Sequence, residues 1–365
     1  MHLPRITLPT AIRPTRIAVG VSGGVDSAVA ALLVRDSGIP AMAVFLRIWH
    51  DPLDEKAIAH VDSEQALAEE MADQLHMPFT VLDGNEAFRR HVVEHFIQSY
   101  AHGETPNPCV HCNRHVRWGF MLSAVRELGA SHLATGHYAR LRGKEPIRLL
   151  RSSDPGKDQS YMLSFLDQQQ LQHALFPIGE LSKARVREIA RFAGLFAADR
   201  PDSQDLCFIG EGGYRSFLER HAPNAFHGGP IFNTNGEEIG RHAGLVNYTV
   251  GQRKGIGIAQ PHPLYVVAKD VAQNALIVGS RESLGGTSLR AGPMHWVAGH
   301  APALPARLLL RTRYTAPEVI AEVQPVDSNS IHATLANSVP DITPGQAAVL
   351  YMGDECLGGG IIQAC

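Results

Sequence analysis

The chain has 365 residues, of which 44% are hydrophobic and 19% are charged, and its formal net charge at pH 7 is −3. This length and composition provide enough apolar residues for two or three domain cores, which excludes an intrinsically disordered or collagen-like polymer. The near balance of charges excludes a uniformly basic nucleic-acid coat, although it allows a local basic groove.

The first half of the chain alternates short apolar runs with segments of helical periodicity. Strands are predicted at residues 16–21, 41–48, 79–82 and 132–135, and helices at residues 28–35, 62–76, 86–100 and 118–128. Such alternation is typical of an α/β fold, in which helices wrap a parallel sheet. Ligands of these sheets bind at the carboxyl ends of the strands, so we expect the functional residues in the loops that follow strands.

The second half of the chain has a different composition and a different hydrophobic pattern. Residues 210–260 are rich in Gly, Pro and Asn, and from residue 264 onward short strand-like runs are separated by turn residues. The later pattern is typical of a small antiparallel barrel. We therefore predict three domains, which are a catalytic α/β domain at residues 1–209, a central domain at residues 210–280 and a C-terminal β-barrel at residues 281–365.

Localisation is predicted from what the sequence lacks. No apolar run reaches the ~18–20 residues of a membrane span, and the N-terminal segment MHLPRITLPTAIRPTR has no apolar core of a secretory signal. Five cysteines in a chain of this length argue against a secreted disulfide framework and for free thiols. We expect a cytoplasmic protein without membrane contact, with a transit peptide as the alternative. Cys356 and Cys365 are expected to be small apolar fillers in the terminal strands.

A glycine-rich loop follows the first predicted strand. Glycine lets the backbone approach a ligand closely, and the next helix directs its N-terminal amides and positive dipole end at the loop. The segment is therefore suited to bind a pyrophosphate, and Asp26 is a candidate to hold Mg²⁺ or to orient the loop. The lysine of the Walker phosphate loop is absent. The loop consists of Gly20, Val21, Ser22, Gly23, Gly24, Val25, Asp26 and Ser27.

Cysteines form the second chemical feature. Cys109 and Cys112 lie in the stretch TPNPCVHCN, where prolines flank a predicted loop and basic residues follow. Positive neighbours favour the reactive thiolate. Taken alone, the pair fits a zinc half-site, a redox pair or two ligands of an iron–sulfur cluster, and the lack of a second such pair weakens zinc. Cys207 lies in DLCFIGE, and residues 101–150 carry a net charge of +4, which favours a groove for a polyanion.

The loop SGGVDS resembles the PP-loop of ATP pyrophosphatases, and with TPNPCVHCN and CFIGE it makes the chain resemble the tRNA-specific 2-thiouridylases. The resemblance continues through the short motifs ATGHY, KDQSY, LFPIG, GQRKG, RTRY, TPGQ and LGGG. It implies a PP-loop catalytic domain, a small central domain and a C-terminal antiparallel β-barrel. It also implies the reaction, in which ATP adenylates the carbonyl at carbon 2 of the wobble uridine in tRNAs for Glu, Gln and Lys before sulfur replaces the oxygen.

The same resemblance implies roles for single residues. Cys112 is the implied nucleophile, and Cys207 is the implied carrier of a persulfide that a cysteine desulfurase relay delivers, so that a Cys112–Cys207 disulfide remains after transfer. ATP is implied to bind residues 20–27, with Leu46 and Gly136 at its adenosine side. The implied tRNA contacts are Asn107, Pro108, Cys109, His137, Lys157, Asp158, Gln159, Arg313, Tyr314 and Gln346.

Cys109 departs from the family, whose well-known members carry an aspartate there. With this extra thiol, Cys109, Cys112 and Cys207 could hold a [4Fe–4S] cluster as the sulfur carrier, although we prefer the persulfide route and assign no other metal ligands. Two further alternatives remain. A PP-loop synthetase would adenylate a small carboxylate or a xanthine nucleotide without tRNA, and an RNA-binding regulator would keep ATP as a structural ligand. Neither has a need for Cys112 and Cys207 together.

Overall fold

The computed structural model describes residues 3–6, 12–201, 206–210, 212–340 and 342–364, and it contains three β-sheets. The strands are β1 (Ile17–Val21), β2 (Ala41–Arg47), β3 (Phe79–Asp83), β4 (His132–Ala134), β5 (Ala139–Arg142), β6 (Arg148–Arg151), β7 (Ala174–Leu175), β8 (Gly229–Asn233), β9 (Glu238–His242), β10 (Tyr265–Asp270), β11 (Ala275–Gly279), β12 (Gly286–Trp296), β13 (Ala306–Arg311), β14 (Val319–Asp327), β15 (Ser330–Val339), β16 (Ala347–Met352) and β17 (Glu355–Ile362).

Eight helices accompany these strands in the described part of the chain. They are α1 (Val25–Arg35), α2 (Glu55–Gln74), α3 (residues 85–101), α4 (residues 108–127), α5 (Ser160–Leu163), α6 (Gln168–Leu171), α7 (Lys183–Phe192) and α8 (Gly213–His221). Short 3₁₀ turns lie at Phe196–Asp199, Pro223–Ala225, Leu245–Asn247 and Arg281–Ser283. α3 and α4 each contain a π-helical stretch, at Arg89–Val93 and Cys112–Met121. Side chains that accept backbone N–H groups begin α2 at Asp54 and α7 at Ser182, as helix N-caps generally do.

The first sheet is parallel and has the strand order β3-β2-β1-β4-β7. Alternate residues of β1 face opposite sides, since Ile17, Val19 and Val21 pack in one cluster with α1 and α7, and Ala18 packs in another with α4. The chain runs from β1 to β2 and β3, then returns to β4 on the other side of β1. The strand order therefore reverses between β1 and β4, and such a reversal is where α/β sheets bind ligands.

The second half of the chain forms two further sheets. β10, β11, β8 and β9 form a mixed four-stranded sheet, in which β11 and β8 are parallel. β12, β15, β14, β13, β16 and β17 form an antiparallel barrel, which the pairing of β12 with β17 closes. The predicted architecture is thus confirmed, with one correction. The strand-like runs at residues 264–270 and 275–279 belong to the central sheet and not to the barrel, because an alternating pattern predicts a strand but not its partner.

One hairpin joins the two halves of the molecule. β5 and β6 follow β4 in sequence, yet β6 pairs with β17, and the two strands extend the barrel sheet to eight strands. The cluster beside α4 includes Leu141 and Leu149 of this hairpin together with Val349 and Tyr351 of β16. The hairpin, which was not predicted, fixes the barrel against the α/β domain. Nowhere in the described residues is there a helix both long enough and apolar enough to cross a membrane.

Candidate active site

The glycine-rich loop lies between the end of β1 and the start of α1. The Ser27 hydroxyl donates to the Gly24 carbonyl at 3.0 Å and accepts from the Ser22 amide at 3.1 Å, which folds the loop back on the helix. Gly23 has a φ of +71°, a region that disfavours side chains, and its carbonyl accepts a 2.9 Å bond from Arg200. The loop is therefore held in one conformation at the N-terminus of α1, where helix amides favour an anion.

Asp26 is the centre of a polar group at this loop. The Lys183 ammonium, at the start of α7, is 2.8 Å from both carboxylate oxygens, and the Tyr138 hydroxyl donates to one of them at 2.7 Å. The Lys183 side chain is 12% exposed and that of Asp26 is 32% exposed, so the ammonium is the more shielded partner of the pair. The Lys183 ammonium therefore lies beside the loop that is suited to bind phosphates, and it is paired with the Asp26 carboxylate of that loop.

Two other residues that were predicted to bind the nucleotide, Gly136 and Leu46, flank the loop. Gly136 follows β4, and a Cβ built on it would lie 2.7 Å from the Asp26 carbonyl carbon and 2.8 Å from the Ser27 nitrogen. Only glycine allows this approach, which brings the ends of β1 and β4 together. Leu46, near the carboxyl end of β2, is partly buried and packs over Gly84. Both residues therefore lie at the edge of the sheet where the loop lies.

The cysteine motif lies within a helix, which corrects the predicted loop. Asn107 caps α4 by accepting the Cys109 amide at 3.1 Å, and Pro108 is its first residue. Proline fits this position because its fixed φ is helical and the missing N–H would have no helical partner. Cys109 and Cys112 therefore lie in the first turns of α4. Asn107, Pro108 and Cys112 are buried, and Cys109 is partly buried.

A segment from the barrel braces the start of this motif. Gln346 donates from its side-chain amide to the carbonyls of Thr105 and Pro106, at 2.9 and 3.2 Å. The Thr105 amide donates to the Pro344 carbonyl at 2.9 Å. Since Gln346 is engaged in these bonds, the structure gives this predicted tRNA contact a bracing role at the cysteine motif.

The segment of Cys207 is anchored by its neighbour Phe208. The Phe208 ring packs edge-on against Phe88 and Phe96 of α3, at 5.6 and 5.3 Å between centroids. Phe208 and Cys112 belong to the same hydrophobic cluster, which places the two cysteine segments side by side. Cys207 itself is exposed at the surface of the cleft. Asp205 and Glu211 of the DLCFIGE motif lie outside the described residues.

Three thiols and one guanidinium share the space between these segments. Burial, followed by repulsion from the Cys112 thiolate, raises the pKa of Cys109 to about 11. The pKa of Cys207 is raised to about 12 by the protein atoms packed around its sulfur and then by the Cys112 charge, although the residue as a whole is exposed. Burial also raises the pKa of Cys112, whereas the charge of Arg117 and a hydrogen bond from it act in the opposite direction. Phe208 packs in the same cluster as Cys112, so the segments that carry Cys112 and Cys207 are neighbours, and sulfur transfer between the two cysteines stays a prediction.

The predicted tRNA contacts are found in different settings. His137 is next to Gly136, and burial and then the charge of Arg117 lower its pKa to about 3, so its ring is neutral. Asp158 is buried and accepts the backbone amides of Ser152 and Ser160 at 3.0 and 3.2 Å, which makes it part of the interior. Gln159 accepts the Tyr138 amide at 2.9 Å.

The remaining contacts lie nearer the barrel. Arg313 donates to the Val250 carbonyl at 3.1 Å and to the Thr343 hydroxyl, which links the barrel to the central domain. Tyr314 is partly buried against Tyr161, with 6.1 Å between ring centroids. Lys157 is partly buried. Cys356 is fully buried in the cluster beside α4, as expected, and Cys365 lies outside the described residues.

Histidines pack beside the cysteine motif. His95 and His111 have ring centroids 3.9 Å apart, and His91 and His115 stack at 4.8 Å. Burial, followed by the charges of His91 and Arg114, lowers the pKa of His115 to about 4. These rings are neutral at pH 7 and fill the space between α3 and α4.

This packing predicts an acid-sensitive stability. Below pH 6.5 the unfolded chain binds a proton at position 115 that the folded protein does not bind until about pH 4, so the free energy of unfolding falls as the pH falls through this window. We expect His115→Gln to reduce the loss of stability between pH 7 and pH 5 by on the order of 1 kcal/mol, or roughly 2–4 °C in melting temperature. Thermal unfolding at both pH values measures this. Exposed His300→Gln is the matched control, and an equal pH dependence in the two variants would contradict the interpretation.

Lys183 is the main functional candidate that the sequence did not reveal. It lies 157 positions from Asp26 in the sequence, in an amphipathic helix outside the recognised motifs. The only signal was its place next to Ser182 at a helix start, where a lysine is unfavourable beside the positive end of the helix dipole. Within the part of the chain that is described, no set of three or more His, Cys, Asp or Glu side chains is arranged to hold a metal ion.

Comparisons with known proteins give a consistent result along the chain. Residues 15–211 match the family described as tRNA methyl transferase HUP domain, residues 215–280 its PRC-barrel domain, and residues 286–362 the aminomethyltransferase beta-barrel domain. Proteins named tRNA-specific 2-thiouridylase MnmA are similar over 95% of this chain. The one from Roseiflexus castenholzii is 43% identical over 366 residues, with 99% of its own length covered. The one from Symbiobacterium thermophilum is 40% identical over 362 residues, with 92% covered.

Proposed function

The chain belongs to the family of tRNA-specific 2-thiouridylases, and from this premise we propose that it uses ATP to replace the oxygen at carbon 2 of a tRNA wobble uridine with sulfur. One observation supports the proposal most. The charge of Arg117 interacts electrostatically with Cys112 and Cys207, and it also lowers the pKa of His137. Gly136, the neighbour of His137, packs on the glycine-rich loop. The proposed nucleotide site and the two thiols would therefore lie at one edge of the sheet.

ATP provides the activation step. The carbonyl oxygen of uracil is a poor leaving group, and its attack on the α-phosphate of ATP gives an AMP ester and pyrophosphate. We assign the phosphates to residues 20–27 and the adenosine side to Leu46 and Gly136. The amides at the start of α1 and the Lys183 ammonium would offset the charge of the departing pyrophosphate.

Mg²⁺ is proposed as the metal of this step. The Asp26 carboxylate is the oxygen ligand of the loop, and hard cations prefer such ligands. Lys183 holds both oxygens of Asp26 at 2.8 Å, and the remaining lone pairs of the carboxylate would be the ones that contact the cation. Bound Mg²⁺ would add Lewis-acid stabilisation of the leaving pyrophosphate.

Sulfur transfer is assigned to the two cysteines. The terminal sulfur of a Cys207 persulfide attacks carbon 2 and displaces AMP, which leaves the base joined to Cys207 through two sulfurs. The Cys112 thiolate then attacks the Cys207 sulfur, so that the sulfur–sulfur bond breaks and its electron pair stays on the transferred sulfur as the thiocarbonyl. A Cys112–Cys207 disulfide remains, and an external thiol must reduce it. We propose a cysteine desulfurase relay as the persulfide donor.

The tRNA is proposed to present its anticodon loop to this site. Single-stranded bases leave a stack at low cost, so the wobble uridine can enter a pocket between the cysteine motif and the nucleotide loop. We propose the tRNAs for Glu, Gln and Lys as substrates. Asn107, Pro108 and Cys109 would then meet the base, and the ring of His137 would meet it from the β4 side.

A [4Fe–4S] cluster on Cys109, Cys112 and Cys207 is the second candidate for the sulfur carrier. The specific observation in its favour is a third thiol that interacts with the other two. Against it, the three side chains are not arranged as a ligand set in the described residues, so we derive no step through a cluster. Iron and sulfide analysis after anaerobic purification decides between the two, because a fully active, iron-free protein would remove the cluster.

The proposed function is tested by incubating the protein with ATP, Mg²⁺, a persulfide source and unmodified tRNA that has a wobble uridine. We expect mass spectrometry of the digested tRNA to find 2-thiouridine at the wobble position, and we expect pyrophosphate release to require tRNA. Release without tRNA would indicate a small-molecule synthetase. No release in either case would indicate an RNA-binding regulator, and either result would contradict the proposal.

Two broader assignments accompany this function. We propose the domain division 1–209, 210–280 and 281–365, in which the first domain activates the uridine and the barrel supports tRNA binding through Arg313, Tyr314 and Gln346. Lys157, Asp158 and Gln159 would support the same surface. We also propose that the protein works in the cytoplasm, where its tRNA substrate is found.

A further inference from the structure

The π-helical stretch of α4 has a geometric effect on the cysteine motif. An α-helix turns about 100° per residue, so residues five positions apart point about 140° away from each other. In a π-helix the hydrogen bonds join residues i and i+5, and side chains five positions apart therefore lie on the same face. The stretch runs over Cys112–Met121 and begins at the cysteine itself. It consequently places Arg117, five residues later, on the face of Cys112.

The contacts of Arg117 agree with this placement. The charges of Cys112, Cys207 and Cys109 each raise the pKa of Arg117, which agrees with a guanidinium that lies within electrostatic range of these sulfurs. Although burial lowers the pKa of Arg117, the interactions with Cys112 and then Cys207 outweigh it and keep the pKa above the usual value. The side chain is only partly exposed, as is Cys109. Arg117 is thus placed as a cation on the face of Cys112, and the Phe208 segment that carries Cys207 packs in the same cluster as Cys112.

We propose that Arg117 is the positioning residue that holds the sulfur anions of Cys112 and Cys207 for the transfer step, and that the π-helical turn exists to bring it there. This inference rests on the proposed function for its purpose, although not for its geometry. A thiolate in a buried site is strongly disfavoured without a counter-charge. Guanidinium is permanently charged and offers five donors in a fixed fork, so it can face two sulfurs at once.

The proposal explains how the transfer remains ordered. When Cys112 loses its proton to solvent, the negative charge stays beside Arg117 and not in the apolar cluster around Phe208. The same guanidinium faces Cys207, so the attacking thiolate and the sulfur it attacks are held by one group. Formation of the disulfide removes the anions, and reduction restores them.

The test measures thiol reactivity without tRNA or ATP, so its failure is separate from any failure of the proposed function. The rate constants for iodoacetamide alkylation of Cys112 and Cys207 are measured by peptide mass spectrometry at neutral pH in the reduced full-length protein. For Arg117→Gln we expect both rate constants to fall about tenfold, because loss of the counter-charge raises each thiol pKa by about one unit or more. Arg126→Gln, at an exposed position near the end of the same helix, is the matched control and should behave as the unmodified protein.

Arg117→Lys provides the second variant. A lysine ammonium is a point charge and cannot bridge two sulfurs as the guanidinium fork does. We expect most of the reactivity of one cysteine to be restored while the other stays slow, so the ratio of the two rates changes at least about threefold. Unchanged alkylation rate constants in Arg117→Gln would overturn the proposal. If that variant does not fold, an unchanged ratio in Arg117→Lys would overturn it.

Discussion

Replacement of Cys112 by serine is expected to abolish 2-thiouridine formation, with a loss of roughly 10³-fold or more. A serine hydroxyl is not ionised near neutral pH, so it cannot attack the Cys207 sulfur and release the thiocarbonyl. Binding of tRNA should change little, because Cys112 is 8% exposed and only one buried atom is replaced. Single-turnover reactions followed by nucleoside mass spectrometry measure the loss, and filter binding measures tRNA affinity. Cys207→Ser is expected to show the same pattern.

Cys356→Ala supplies the matched control for this experiment. Cys356 is also a buried thiol, but its sulfur faces the Ser160 carbonyl at 3.8 Å within the cluster beside α4, away from Arg117. We expect full thiolation activity and a modest loss of stability, of about 1 kcal/mol. Sulfur incorporation by Cys112→Ser at the rate of the Cys356→Ala protein would contradict the role given to Cys112.

Replacement of Asp26 by alanine is expected to reduce tRNA-dependent pyrophosphate release by roughly 10²–10³-fold. The change removes the proposed Mg²⁺ ligand and also leaves the Lys183 ammonium without the carboxylate that positions it at 2.8 Å. Tyr138→Phe removes the hydroxyl that donates to Asp26 at 2.7 Å but keeps the carboxylate, and it should cost far less, about threefold to tenfold. Release of labelled pyrophosphate from ATP measures both effects.

The control for Asp26 is Glu188→Gln on α7. Glu188 is a carboxylate on the exposed face of the helix that carries Lys183, where it pairs with Arg185 at 2.6 Å. Its loss should leave pyrophosphate release unchanged, because exposed ion pairs contribute little. If Asp26→Ala released pyrophosphate as fast as Glu188→Gln, the assignment of the loop to adenylation would be wrong.

The sequence predicted the local features of the site better than their surroundings. The strands β1, β2, β3 and β4 and the loop at Asp26 follow from apolar periodicity and glycine content, which are local properties. Lys183 could not be found in this way, because its partner is distant in the chain and a lysine at a helix start has many possible roles. The contact arises only when α7 packs on the same face of the sheet as α1.

The cysteine motif illustrates a second limit. The prolines of TPNPCVHCN indicated a loop, yet Pro108 serves as the first residue of α4 with Asn107 as its cap. Proline is common both in loops and at helix starts, so composition alone does not separate them. The π-helical stretch after Cys112 is also invisible in the pattern, because apolar periodicity near 3.6 residues does not resolve one wider turn. The role of Arg117 therefore emerges only from the three-dimensional arrangement.

The hairpin β5–β6 has a consequence for how the chain folds during synthesis. Its outer partner β17 follows the central sheet and the other barrel strands in the chain, so the edge of β6 lacks its neighbour while those strands are translated. An unpaired strand edge is prone to associate with other chains. A nascent or truncated chain that ends before Glu355 would expose this edge, and the eight-residue strand β17 completes the pairing of a hairpin that belongs to the N-terminal half.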